Sequence, residues 1–380
     1  MEHFEITQSE DWTRFQELAG RKGRVLECEN GQKAYFIEIP LAFGWCTWRG
    51  IGVNLKEWTR KDMHSLTKLA RAHKVVSVRF EGHGMVEFST NKGGKNERSL
   101  SADIKNLFQE LALKHVPHPY LPEYTIVLDL SLSEEALLTQ MKRKGRYNIK
   151  LAEKEVRVEK YVGNEIIETK DAVGKSSPMP ALDQFYTLAR ETAKRDGFAV
   201  HPKSYYEAMM KGLGKNVILY MGYMREEHGA LAKSASAALA GIIIVYGRET
   251  AVYYYGASSS THRDLMAPYI LQWEAIKDAK KAGKKEYDFM GTARPIGTSL
   301  PMRAPHALPD FTNGHRPDFE NGIPAIDIAF DPKDPLRGVS EFKQKFGGRF
   351  VTFEPPFDLV LNRGLYVVLS LLRHLRSFAF

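Results

Sequence analysis

The sequence predicts an α/β fold with mixed sheets, arranged as two tandem units. Short apolar stretches with strand-forming residues alternate with helical stretches along the chain, and the second half repeats the strand and helix order of the first. A length of 380 residues is more than one ordinary core requires and suits two domains. The duplication is a prediction about topology, since we detect no repeat at the level of individual residues.

The first unit is predicted to open with a helix and a hairpin. Asn30 and Gly31 stand between two apolar runs, and an Asn-Gly pair in that position is a strong hairpin signal. The predicted elements are, in order, a helix at 10–19, strands at 24–29 and 34–40, a helix at about 56–73, a strand at 75–80 and a helix at about 104–115.

The second unit is predicted to begin at Tyr124 with a buried strand. Its predicted elements are a strand at 124–130, one helix opened by Ser133 and running through MKRKGRYNIKLAEK, a strand at 156–162, a helix at about 182–196, a helix led by Pro202, strands at 217–223, 240–246 and 252–255, a helix at 265–282 and a strand from 287. Gly283 is placed to end the last helix. The stretch 292–337 is rich in proline and glycine, with only 323–330 strand-like, and is typical of a lid, a binding loop or an insertion.

Composition and charge narrow the class of protein. The chain is 43% hydrophobic and 26% charged, as soluble globular proteins are, and has no apolar run that could span a bilayer. A net charge of +8 favours polyanionic partners and permits nucleic acid. The acidic N-terminus lacks the features of a signal peptide, which predicts a cytoplasmic location. Cys28 and Cys46 lack CxxC spacing and are predicted to be buried structural thiols.

The C-terminal segment has two interpretations. Residues 365–380 combine an apolar run with Arg373, His374 and Arg376. This composition fits a helix that lies in a membrane interface, and equally a last helix that packs on the core of the first unit. Both interpretations stay open at this point.

The segment GVSEFKQKFGG, residues 338–348, contains the leading catalytic candidate. Lys343 stands between Phe342 and Phe346, so most of its stem is expected to lie in apolar surroundings, where its charge is weakly screened. A cation of this kind suits an anionic transition state. The alternative is a basic edge strand from which Lys343 extends to solvent.

Four blocks of sequence, in this order, carry a family resemblance. They are TQSEDWTRFQ (7–16), YTIVLDLSLSEEALLTQMKRKGRYNIKLAEKEVRVEK (124–160), VYYYGASSSTHRDLMAPYILQWEAIKDAKKAGKKEYDFMG (252–291), and GVSEFKQKFGG with the following RFVTFEPPFDLVLN. Together they resemble the FemABX family of peptidoglycan bridge-forming aminoacyltransferases.

The resemblance implies two domains with the acyl-CoA N-acyltransferase-like (GNAT-like) fold. The first would comprise 1–123 and 351–380, and the second 124–350 with a long insertion at 292–337. The implied reaction transfers an amino acid from aminoacyl-tRNA to the stem-peptide amine of a peptidoglycan precursor, either UDP-linked or lipid-linked. No cofactor and no metal is expected. The protein is expected to be a monomer, with peripheral contact with the inner face of the membrane.

The resemblance also implies roles for individual residues. Lys343 falls at the family's catalytic lysine, with Phe342 beside it, and would stabilise the oxyanion formed during aminolysis of the ester. The implied precursor-binding residues are Arg14, His201, Lys203, Tyr205 and Tyr254. His201 stands where the family often has an arginine, a departure for which Arg195 or Lys203 would have to compensate.

A basic cluster is the candidate tRNA-binding surface. It consists of Lys142, Arg143, Lys144, Arg146 and Lys150, which crowd one predicted helix. Such a cluster would bind the phosphates of the tRNA acceptor arm in a salt-sensitive manner. The alternative is an ordinary solvated helix face.

Other functions remain as alternatives. An acyl-CoA-dependent N-acyltransferase would need a glycine-containing turn for the CoA pyrophosphate, but the equivalent turn here, SSSTHRDLMAPY, lacks glycine, and Pro268 removes an N–H. A catalytically silent scaffold is disfavoured by the presence of Lys343. His115 and His118 have H-x-x-H spacing without a third ligand.

Three carboxylates lie nearest the motif blocks, namely Asp129, Asp264 and Asp288. Each is predicted to be a cap, a strand-end residue or a solvated charge. None is assigned as a general base.

Overall fold

The structure is a computed structural model that describes residues 5–82, 85–87, 113–116, 119–163, 180–225, 238–296, 328–353 and 356–377. The chain forms two compact units. Unit 1 consists of Met1–Val86, Gly94–Glu123 and Phe353–Phe380, and unit 2 of Glu87–Gly93 and Tyr124–Thr352. Both contain helices and a mixed sheet, so the predicted α/β class is confirmed.

The described strands and helices are as follows. The strands are β1 (Lys22–Glu27), β2 (Lys33–Pro40), β3 (Cys46–Ile51), β4 (Val75–Glu81), β5 (Met85–Glu87), β6 (Lys114–His115), β7 (Tyr124–Asp129), β8 (Val156–Val162), β9 (Val217–Met224), β10 (Ala238–Tyr246), β11 (Thr250–Ser258), β12 (Glu286–Asp288), β13 (Pro295–Ile296), β14 (Ala329–Phe330), β15 (Arg349–Phe353) and β16 (Phe357–Val360). The helices are α1 (Glu10–Leu18), α2 (Arg60–Ala72), α3 (Glu134–Gln140), α4 (Arg143–Glu155), α5 (Ala181–Asp196), α6 (Lys203–Leu213), α7 (Ala267–Lys281), α8 (Arg337–Lys343) and α9 (Arg363–Ser377).

Unit 1 is built on a six-stranded sheet in the order β1-β2-β3-β4-β16-β6. The β3–β4 pair is parallel and the other pairs are antiparallel. The hairpin predicted from Asn30 and Gly31 is confirmed as β1–β2. The core of unit 1 includes the fully buried rings of Phe36, Trp48 and Phe80.

Both cysteines are buried in the core of unit 1, as predicted. Burial raises the pKa of the Cys28 thiol to about 11. A thiol with so high a pKa carries little thiolate at neutral pH and is correspondingly unreactive.

Unit 2 contains most of an eight-stranded sheet in the order β5-β15-β7-β12-β11-β10-β9-β8. Strands β11 and β12 are parallel, whereas β15–β7, β7–β12, β11–β10, β10–β9 and β9–β8 are antiparallel. Helix α7 packs against β9 and β10, and α5 packs against β10 and β11. Gly283, at φ 73°, follows the end of α7 as predicted.

Two predictions about local structure are wrong, and one strand was missed. The predicted single helix after Ser133 is two helices, because Met141 and Lys142 between α3 and α4 have extended backbone. Strand β3 was not predicted. Lys114 and His115 form β6 beside β16 rather than the end of a helix, and residues 104–112 of that predicted helix lie outside the described residues.

The predicted insertion at 292–337 is described only at its two ends. There, β13 pairs with β14 in a separate two-stranded sheet. Its interior, including most of the predicted strand at 323–330, lies outside the described residues.

Candidate functional site

The site lies where the pairing of β11 with β12 ends in unit 2. The two parallel strands pair from Thr250–Glu286 to Val252–Asp288. Beyond this point β11 carries a bulge, since Ile243 faces Tyr255 and Ile244 faces Tyr253, which leaves Tyr254 as the extra residue. Bulges of this kind redirect side chains beside functional sites.

Lys343 brings its ammonium group to this point. It is the last residue of α8 and is only 5% exposed. Its Nζ donates hydrogen bonds to the carbonyl oxygens of Met290 at 2.5 Å and Gly291 at 2.6 Å, and lies 5.5 Å from the centre of the Tyr253 ring. The alternative of an exposed edge strand is therefore wrong, because the segment is a helix whose lysine points into the protein.

A tight turn presents the two carbonyls to Lys343. Met290 and Gly291 both have positive φ, 46° and 75°. Asp288, which is fully buried, accepts a hydrogen bond from the Met290 N–H at 2.8 Å and another from the Thr125 hydroxyl. The carboxylate thus stabilises a backbone conformation that is costly for a non-glycine residue such as Met290.

Burial controls the protonation of Lys343. Loss of hydration lowers the pKa of its ammonium to about 7, and the negative charge of Asp288 opposes that shift. A lysine with a pKa near neutrality is typical of functional sites.

Aromatic packing and the close approach of Gly348 to β7 hold the Lys343 segment in place. Phe342 packs edge-on against Tyr269 at 4.9 Å, and the buried Phe346 lies 5.3 Å from Phe289. Gly348, at φ 91°, lies so close to β7 that an added Cβ would be 2.6 Å from the Val127 carbonyl oxygen. The contact of Phe342 with Tyr269 shows that the Phe342 ring helps to pack the segment against the rest of unit 2.

Three of the predicted precursor-binding residues lie together near the bulge. The ring of His201 stacks on that of Tyr205 at 4.1 Å and lies 6.1 Å from Tyr255, whose neighbour Tyr254 is 5.9 Å away. All four are half-buried. We call His201, Tyr205, Tyr254 and Tyr255 the aromatic cluster.

The basic residues predicted to bind the precursor have protein partners. Lys203 pairs with Asp183 and, at 3.3 Å, with Glu207. Arg195, the residue considered as a substitute, donates to the Ser258 carbonyl at 3.1 Å and pairs with Asp196. In unit 1, Arg14 is 56% exposed and pairs with Asp11 of the same helix at 2.8 Å.

The basic cluster divides into two groups. Arg146 donates to the carbonyls of Leu138, Thr139 and Met141 at the end of α3, and Lys142 donates to Gln344 Oε1 at 2.6 Å. Arg143, Lys144 and Lys150 are exposed on α4.

One face of α4 forms a basic stripe. Arg143, Tyr147, Lys150 and Lys154 recur at helical spacing and are all exposed, Tyr147 by 64%. Lys154 was missed in the sequence analysis, although its spacing from Arg143 and Lys150 would have placed it on this face.

Sequence reasoning also missed several groups around Lys343. The Met290 and Gly291 carbonyls are backbone groups, which residue type does not reveal. The sequence analysis selected Tyr254 and did not select its neighbour Tyr253. Asp288 was predicted to be a cap, a strand-end residue or a solvated charge. It is the last residue of β12 and fully buried, and it positions the turn that contacts Lys343.

Comparisons with known proteins agree with the resemblance seen in the sequence. The FemAB family matches residues 2–228 and 224–295. The lipid II:glycine glycyltransferase of Staphylococcus aureus is 21% identical, over 76% of this chain and 80% of that protein. The crystal structure of FemX aligns with a TM-score of 0.65 and 19% identity, covering 96% of this chain and 94% of FemX. The predicted fold class, α/β with mixed sheets in tandem GNAT-like units, is confirmed.

Proposed function

The chain belongs to the FemAB family and is an aminoacyltransferase, and we propose that it transfers an amino acid from aminoacyl-tRNA to the stem-peptide amine of a peptidoglycan precursor. The proposed acceptor is lipid-linked, the class of substrate named for the Staphylococcus aureus relative. In this proposal the protein acts as a cytoplasmic monomer with peripheral contact with the membrane.

The observation that carries the proposal is the buried ammonium of Lys343. An ammonium has three N–H donors, and within the described residues the Met290 and Gly291 carbonyls accept two of them. The third would donate to the oxyanion that forms when the acceptor amine attacks the ester carbonyl. Because the Lys343 ammonium is buried, this interaction is stronger than it would be in water.

The remaining steps need no covalent enzyme intermediate. The amine nitrogen forms a bond to the ester carbon, and the tetrahedral intermediate collapses with loss of the ribose oxygen of the tRNA. The proton lost by the amine ends on that leaving hydroxyl, directly or through solvent. Lys343 stabilises the negative charge throughout and keeps its own proton.

The aromatic cluster of unit 2 is the proposed precursor-binding surface, since flat, half-buried rings suit the faces of sugars or a nucleobase. Arg14 of unit 1 stays a separate proposal, as an exposed arginine that suits a phosphate. In this proposal Lys203 does not contact the precursor directly, because it is paired with two carboxylates. Phe342 does not contact the reacting groups and instead packs against Tyr269.

The basic stripe on α4 is the proposed tRNA-binding surface. Reversing the charge of Arg143 and Lys150 together is expected to weaken tRNA binding at low salt by about tenfold or more, because phosphate contacts dominate such affinity. Filter binding with uncharged tRNA measures this directly. The matched control reverses Lys211 and Lys215, which lie elsewhere in unit 2.

If both double variants weaken tRNA binding equally, the effect is one of overall charge, and the basic stripe is not the tRNA-binding surface. Arg146→Glu is a different kind of variant, since it leaves the carbonyls at the end of α3 without their donor. It is expected to destabilise the fold and is unsuitable as a binding probe.

The pH dependence of transfer tests the protonation of Lys343. Its pKa is about 7, so the catalytic ammonium is lost as the pH rises through that value, and kcat/KM should fall on the alkaline side. The negative charge of Asp288 raises the pKa of Lys343. Asp288→Asn removes that charge, so the alkaline fall in kcat/KM should begin at a lower pH. Asparagine can still accept from the Met290 N–H, so the turn is retained.

Asp129→Asn is the control for the pH experiment, because Asp129 accepts from the Ser131 backbone at the exposed end of β7. Its profile should match that of the wild type. An alkaline limb that stays in place in Asp288→Asn would contradict the proposed electrostatic link.

The acyl-CoA-dependent alternative gains no support from the turn before α7. The Ser260 N–H, a group of the kind that would hold a pyrophosphate, donates to Glu191 at 2.6 Å. A carboxylate at that position repels the phosphates of CoA.

The decisive experiment is transfer of radiolabelled amino acids from a charged total tRNA pool to purified precursors, nucleotide-linked and lipid-linked. Product that depends on tRNA would establish the reaction, the amino acid and the preferred acceptor. Absence of product with either precursor, together with turnover of an acyl-CoA, would replace the proposal with the alternative.

A further inference from the structure

Helix α9 in unit 1 carries an exposed apolar face. Val367, Val368, Leu371 and Leu372 are exposed by 52%, 51%, 61% and 51%. Their spacing places them on neighbouring turns of one side of the helix. An apolar surface of this kind on a water-soluble unit usually marks an interaction site.

The other side of α9 is anchored to unit 1. Tyr366 is buried, and its hydroxyl donates to Asp358 Oδ2 of β16 at 2.9 Å. Asp358 is itself fully buried and accepts two hydrogen bonds from Arg79 of β4, at 2.8 and 3.0 Å. Lys114 lies 5.4 Å from the centre of the Tyr366 ring. The exposed face is therefore held outward by specific buried contacts.

The charge of this part of the chain has one sign. Residues 359–380 contain Arg363, Arg373 and Arg376, with His374, and no aspartate or glutamate. An apolar face combined with cationic residues and no acids is complementary to an anionic lipid surface.

The length of α9 favours lying on a membrane over crossing it. Its 15 residues would extend about 22 Å at the rise of an α-helix, less than the roughly 30 Å of a bilayer core. No helix among the described residues is long and apolar enough to span a membrane.

We propose that α9 docks unit 1 onto an anionic lipid surface. The face of Val367, Val368, Leu371 and Leu372 enters the boundary between headgroups and acyl chains, and the net positive charge of residues 359–380 attracts the anionic headgroups. The proposal rests on the proposed function in one respect, since a lipid-linked acceptor would lie in the same surface. A second copy of the chain fits this face less well, because four side chains fall short of the about 800 Å² per partner of a stable interface.

The test is flotation of the full-length chain with vesicles of phosphatidylcholine alone or mixed with phosphatidylglycerol. The wild type should bind the anionic vesicles, and Leu371→Gln with Leu372→Gln should reduce the bound fraction at least tenfold. Leu18→Gln is the matched control, because Leu18 is a 45% exposed leucine on another helix of unit 1. Val367→Ser with Val368→Ser provides a second variant if the first does not fold.

Transfer assays separate this proposal from the proposed function. The α9 variants should lose transfer to a lipid-linked precursor embedded in vesicles and keep transfer to the same precursor dissolved in neutral detergent. If the wild-type protein does not bind anionic vesicles, or if the variants bind them as well as the wild type, α9 is not the docking surface, even if transfer occurs. A wild-type dimer that the variants convert to monomer, without vesicle binding, would assign the face to a second copy.

Discussion

Lys343→Met is expected to lower kcat for aminoacyl transfer by about 10²–10³-fold, the usual effect of removing one preorganised oxyanion donor. Methionine is nearly as long as lysine and is apolar, so it replaces the buried stem of Lys343 and removes the charge. The Met290 and Gly291 carbonyls lose a donor, which destabilises the fold. Removal of a buried ionisable group offsets part of that loss.

The measurement compares kcat, kcat/KM and the thermal midpoint of the variant with those of Lys333→Met. Lys333 is exposed on the loop before α8, so its substitution removes the same charge without touching the site. Lys343→Met should keep a midpoint within a few degrees of the wild type. Near-normal kcat in a folded Lys343→Met protein would remove the lysine from the chemistry.

Gly348→Ala is expected to lower the free energy of unfolding by about 3 kcal/mol or more. At φ 91° an alanine is strained, and its Cβ would also lie 2.6 Å from the Val127 carbonyl oxygen and 2.8 Å from Leu128 Cδ2. Neither neighbour can move easily, since Val127 pairs with Arg349 in the sheet and Leu128 is fully buried. Transfer should fall as well, because the displaced segment carries Lys343.

Gly338→Ala serves as the control for this prediction. Gly338 lies near the start of α8, and an added Cβ would have nothing within 4 Å. Alanine in a helix favours folding by up to about 1 kcal/mol over glycine, so this variant should be as stable as the wild type or more so. Urea unfolding followed by tryptophan fluorescence and by circular dichroism measures both variants. A Gly348→Ala protein as stable as Gly338→Ala would contradict the close approach.

Features that depend on near neighbours in the chain could be predicted from the sequence. The β1–β2 hairpin follows from Asn30 and Gly31, the end of α7 follows from Gly283, and alternating strands and helices indicate the α/β class. Three of the four motif blocks, at 7–16, 124–160 and 252–291, lie within the residues that the FemAB family matches, so the order of residue types in the sequence indicated the family. The fourth block, which contains Lys343, lies outside the matched residues.

Contacts between distant segments were decided by the tertiary structure alone. The break between α3 and α4 is one case: the Lys142 side chain bonds Gln344, 202 residues away, and the Lys142 N–H bonds the Lys345 carbonyl. Helix propensity depends on local residue types and not on distant partners, so the sequence predicted one continuous helix.

The candidate site shows the same division. The sequence by itself predicted Lys343 as the catalytic candidate, with a stem in apolar surroundings. The ammonium's partners, the Met290 and Gly291 carbonyls, lie 53 and 52 residues away along the chain and are backbone groups that every residue possesses. Only the folded chain brings them to Lys343, because burial and backbone geometry at a site depend on segments that meet in space and are remote in sequence.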